Sequence, residues 1–180
     1  MTRMSWPTTK ALLVSVFFAV IGVYGFMTTT LFDNALALPL GLYYATITIN
    51  TFFSIQIFSA ITPKDFWQII FDATLVLSYC ALAFSFGSVL TFSFISGILF
   101  LVAIGKYVHL NRLISFPAFL RRKIFIEKLG ALLSFSTFIV AAFGFVALAA
   151  WILGGVFAIA NVYFLVFRPM YRLDERAPLQ

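Results

Sequence analysis

Five polar side chains fall where this sequence is otherwise apolar, and they are the ones whose types and spacing could do chemistry. Asp72 lies seven residues beyond Asp65, so about 10 Å deeper along a helix. A carboxylate held at that depth in hydrocarbon costs at least a few kcal/mol unless it is paired or wetted. It reads either as a cation or proton site or as half of an ion pair, with Lys106 as the first partner and Lys128 or an Arg as alternatives. Gln68, Asp72 and Tyr79 share one helical face, which suits a polar pathway and a packed interior equally. Asn50 recurs with Thr46 and Ser54 at intervals of four, inside an arc of about 80°. It must hydrogen-bond either to a neighbouring helix or to a ligand. Asn161 ends a stripe of small residues and is expected to bond across a helix contact.

Most other chemistry is short of parts. One His (His109) and one Cys (Cys80) leave bis-histidine haem, a His/Cys zinc site and an iron–sulfur cluster without enough ligands, so no metal or cofactor is expected. Cys80 reads as a small buried hydrophobe and His109 as a solvated interfacial residue. No catalytic residue is assigned. Aspartyl proteolysis needs two apposed acids, and only Asp72 reads as embedded; a serine enzyme needs a general base, and the single His falls outside the spans. The chain is not expected to be an enzyme. The net charge of +6 is not interleaved with aromatics as in a nucleic-acid surface, and suits anionic lipid headgroups instead.

The elements that must hold these residues follow from composition. Of 180 residues, 63% are hydrophobic and 10% charged, against about 45–50% and about 25% in soluble domains; the apolar surplus must face lipid. A span needs about 20 apolar residues. Uncharged stretches predict an all-α, polytopic membrane protein forming one transmembrane domain, with six spans at 11–32, 38–61, 66–86, 89–105, 124–143 and 145–167. The stretch from Leu129 to Phe167 would measure about 58 Å as one helix; it must fold back, with Gly144 as the hinge. The first run, at 22 residues, exceeds a secretory h-region of about 7–15 and is expected to be retained.

Orientation follows the positive-inside rule. All twelve Lys and Arg fall in the two tails and in the second and fourth connections, and the opposite side carries Asp33 alone. This predicts three antiparallel hairpins with both termini cytoplasmic, in a bacterial cytoplasmic (inner) membrane. Six helices in about 20 kDa with both ends inside resemble, in size and topology, the substrate-binding component of energy-coupling-factor importers. Residues 83–90 and 141–148 read alike, which raises a duplicated hairpin as one alternative.

Two further sets of residues have expected roles. Gly130, Ser134, Thr137, Ala141 and Gly144 line one helical face, and Ala147, Ala150, Gly154, Ala158 and Asn161 another. Such stripes let backbones approach closely, gluing the last hairpin or joining a second copy or another membrane subunit. Lys106, Arg112, Arg121, Arg122 and Lys123 sit in a basic cytoplasmic connection, 106–123, expected to meet anionic headgroups through a short interfacial helix before Pro117. The resulting reading is a small transporter, channel or membrane-embedded substrate-binding subunit with a polar site around Asp72. The alternative is a non-catalytic accessory or assembly subunit of a larger membrane complex.

Overall fold

A computed structural model describes residues 5–30, 34–63, 65–114 and 117–167. Arg3, Asp33, Lys64, Arg168, Arg172 and Arg176, which enter the charge argument, lie outside the described residues. Every described element is helical: α1 (Trp6–Thr30), α2 (Asn34–Ile61), α3 (Phe66–Phe84), α4 (Val89–Leu113) and α5 (Pro117–Ala142). A sixth span, Val146–Phe167, combines α6 (Val146–Trp151) and α7 (Phe157–Val162) with π-helical turns at Ile152–Val156 and Tyr163–Phe167. Six helices are thus long and apolar enough to cross a membrane, the shortest, Phe66–Phe84, having 19 residues. Large apolar side chains such as Leu13, Val20, Leu132 and Ile159 point outward on all sides. In water that surface would far exceed the patch a soluble monomer tolerates; this is a multi-pass membrane protein.

Local chemistry sets the helix ends. The Asp65 carboxylate accepts the N–H groups of Trp67 and Gln68 at 3.0 and 3.3 Å, and Ser88 Oγ accepts that of Thr91 at 3.3 Å; both supply bonds that a first helical turn lacks. Past α5, Gly144 takes φ = 90°. Its N–H reaches the Ala141 carbonyl and that of Phe145 reaches the Val140 carbonyl, a Schellman closure that needs a left-handed residue. Gly144 therefore does turn the chain. Gly87 has no positive φ, so the two turns that read alike in sequence are built differently, which removes that support for a duplicated hairpin.

The connection expected at 106–123 is mostly helix. α4 continues through Lys106 to Leu113, and α5 begins at Pro117, where the missing N–H is harmless. Hydropathy ends a span at its first charge, but Lys and Arg are good helix formers, so the backbone ladder runs on. Two apolar residues of this segment pack inside the protein. Leu110 and Leu120 are fully buried in a cluster with Phe58, Ala103 and Tyr107.

The small-residue stripes make close contacts inside the bundle. A Cβ on Gly130 would strike the Phe100 ring, and one on Gly97 the Phe135 ring. Between these reciprocal contacts Ser96 and Ser134 hydrogen-bond at 2.7 Å. Gly130 and Ser134 of the α5 stripe therefore meet α4. Gly154 lies against the Pro39 carbonyl of α2; Ala150 is buried, Ala158 half-buried and Ala147 exposed. Leu153 and Gly154, in the π-helical turn at Ile152–Val156, are buried, as are Phe157 and Asn161 beyond it.

Candidate functional site

α1 meets α3 through Phe18 stacked on Tyr79 at 4.3 Å, through the edge contact of Tyr24 with Phe84, and through Gly25 against Ala83. These contacts lie toward the Gly87 end of α3. Toward the Asp65 end the helices enclose a cavity of about 530 Å³ walled by α1 to α5, within the size range of small-molecule sites. Asn50, Gln68, Asp72 and Tyr79 all border it. Asn161 does not: its amide donates to the Phe157 carbonyl of its own helix at 3.0 Å, rather than across a contact.

Tyr79 roofs the cavity, with its hydroxyl spent on α2, bonded to Thr51 and to the Ile47 carbonyl. Of the polar stripe on α2, Asn50 and Ser54 border the cavity, whereas Thr46 bonds back to the Leu42 carbonyl at 2.6 Å. Thr51, between them, was not singled out in sequence. Gln56 faces α1, donating to Thr8 Oγ1 at 3.2 Å.

Asp72 is ion-paired. Lys106 Nζ lies 2.5 Å from its Oδ1, with the lysine 13% and the aspartate 49% exposed. Of the two readings of Asp72 this is the salt bridge, and it stands in the cavity wall. Lys106 thus points inward instead of to headgroups.

Lys123, expected among the headgroup contacts, is 1% exposed and pairs with Glu127 at 2.7 Å. Its Nζ sits 5.6 Å from the Tyr107 ring centroid, a cation–π distance. Tyr107 in turn hydrogen-bonds Ser54 at 2.8 Å. The reason is the early start of α5: Lys123 and Glu127 lie two and three turns inside the helix, facing α4. Glu127 is consequently a second embedded acid that hydropathy places at the interface. Arg112, Arg121 and Arg122 are exposed.

At the Asp65 end, His109 Nε2 contacts Asp65 Oδ2 at 2.8 Å, so this histidine is not merely solvated. The His109 hydrogen bond holds the Asp65 carboxyl below the usual aspartate range, helped by the Gln68 and Trp67 N–H groups. Beside them, Gln68 is 3% exposed, and neither its amide nitrogen nor its amide oxygen has a hydrogen-bond partner among the described residues. An unanswered buried polar group costs about 1–3 kcal/mol. The hydroxyls of Ser59 and Thr62, also in the cavity wall, are buried and have no partner among the described residues either.

Among the described residues no three His, Cys, Asp or Glu side chains gather as a metal site. The chain matches no protein-family model, no curated protein and no solved structure.

Proposed function

We propose that this chain is a non-catalytic membrane protein that binds a small molecule in the cavity and carries it across, or presents it within, a bacterial cytoplasmic membrane. One observation carries the reading: five helices surround a cavity of about 530 Å³ that collects two lysine–acid pairs and the carboxamides of Asn50 and Gln68. Burying so many polar groups opposes folding in a bilayer, and a ligand site gives them a use. In this reading the six spans form three antiparallel hairpins, with both termini and the cavity mouth cytoplasmic. The positive-inside distribution supports it, as do Lys10, Lys106 and Lys123 bordering one cavity. Arg112, Arg121 and Arg122 would rest on anionic headgroups.

The test is native mass spectrometry of the protein released from lipid nanodiscs, for wild type and for two cavity-filling variants, Ala103→Phe and Val76→Trp. A small molecule bound at unit stoichiometry, lost from variants that still elute as one species, is the expected result. An empty cavity together with a fixed stoichiometric protein partner would transfer the assignment to an accessory subunit.

A further inference from the structure

Every acid bordering the cavity is already paired. Asp72 holds Lys106, Glu127 holds Lys123, and Asp65 holds His109 together with two backbone N–H groups of α3. Three lysines and three carboxylates border the cavity, so their formal charges cancel; Lys10, the remaining lysine, is exposed. Apart from exposed Lys10, the hydrogen-bonding capacity left over among the described residues is neutral. It comprises both amide atoms of Gln68 and the hydroxyls of Ser59 and Thr62, all within residues 59–68 around one end of the cavity. Much of the remaining wall is apolar, with Phe18, Phe58, Leu75 and Phe100 among its members.

We infer that the cavity takes an uncharged amphipathic molecule, its apolar body against the phenylalanines and its amide, carbonyl or hydroxyl end at Gln68, Ser59 and Thr62. This rests on the cavity being a binding site, as proposed above. A cationic ligand has to share an acid that is already paired, and an anionic one finds outside the pairs only the exposed Lys10, where a salt bridge is worth little. Breaking the buried Lys123–Glu127 pair would strand a desolvated charge. An uncharged ligand leaves the pairs intact and supplies partners to groups that have none. The paired acids then act as rigid neutral wall rather than as a site for a cation or proton.

Three probes sharing one fluorophore separate the possibilities: dansylamide (uncharged), dansylglycine (anionic) and dansylcadaverine (cationic), titrated into the full chain in nanodiscs at neutral pH. Dansylamide is expected to bind saturably and about tenfold or more tighter than either charged probe. Gln68→Leu should weaken it about fivefold while the melting temperature holds or rises, because the variant removes an unanswered amide. Should Gln68→Leu fail to fold, the double variant Ser59→Ala/Thr62→Val reads the same end of the cavity. A charged probe binding as tightly as dansylamide, or dansylamide affinity indifferent to these variants, overturns the uncharged-ligand inference and leaves the binding site standing. Saturable binding by none of the three overturns the binding-site reading itself.

Discussion

Asp65 has two duties, capping α3 and holding His109, and both need the carboxylate ionised. Its folded pKa is lowered, first by the His109 hydrogen bond, so the stabilisation is complete above the ordinary aspartate value of about 3.9 and is lost as pH falls through the lowered folded value. Melting temperatures of wild type and Asp65→Ala should therefore converge as pH falls below about 4 and separate above it; parallel curves would count against the pairing. The Lys123–Glu127 pair makes a sharper case. Removing one partner strands a buried charge, so Lys123→Met or Glu127→Gln should each cost about 3–5 kcal/mol. Lys123→Met/Glu127→Leu should recover most of that loss in a denaturant titration, whereas additive losses would show that the two side chains do not interact. The spacing of this pair, i and i+4, is a standard helical contact and was readable. It was missed because a charge was taken to end the span, which left Lys123 in the 106–123 connection and Glu127 across the boundary in the fifth span. Asp72 and Lys106 were readable as partners because the apolar stretches on both sides fixed their depths. The Gln68 vacancy of partners was not, since it depends on what α2 and α3 leave unfilled.

Helix existence followed from length and apolarity, and helix ends did not. α4 runs past, and α5 starts before, the uncharged stretch that predicts each span, because helix formation asks only for satisfied backbone groups, which Lys and Arg do not disturb. The Gly144 turn was legible because no single helix of the required length fits a bilayer. Which helix each small-residue stripe faces was not legible, because spacing specifies a face and never its partner. Gly154 and Gly155 test the assignment at this scale. A Cβ at Gly154 strikes the Pro39 carbonyl, while one at Gly155 meets open space. Gly154→Ala should destabilise by about 1–3 kcal/mol and lower the yield of folded protein on size-exclusion chromatography; Gly155→Ala should leave both unchanged. Equal behaviour of the two variants would remove the α2 contact from the account.

Over the whole molecule, six helices close around two buried clusters, and the cavity lies toward the Asp65 end. The apolar excess and the one-sided charges made the spans countable. The cavity could not be counted that way, because it arises where α1 and α3, in contact near Phe18 and Tyr79, both line a space farther along. Its defining property in the proposed orientation is that water reaches the middle of α2 from the cytoplasmic side. Ser54 reports on this most directly, as it borders the cavity and bonds Tyr107. In a Cys80→Ser background, Ser54→Cys should react with a membrane-impermeant thiol reagent in inverted vesicles and stay inert in right-side-out vesicles, with Gly87→Cys showing the reverse. Ser54→Cys labelled from the outer side, or from neither side, would contradict a cavity open to the cytoplasm.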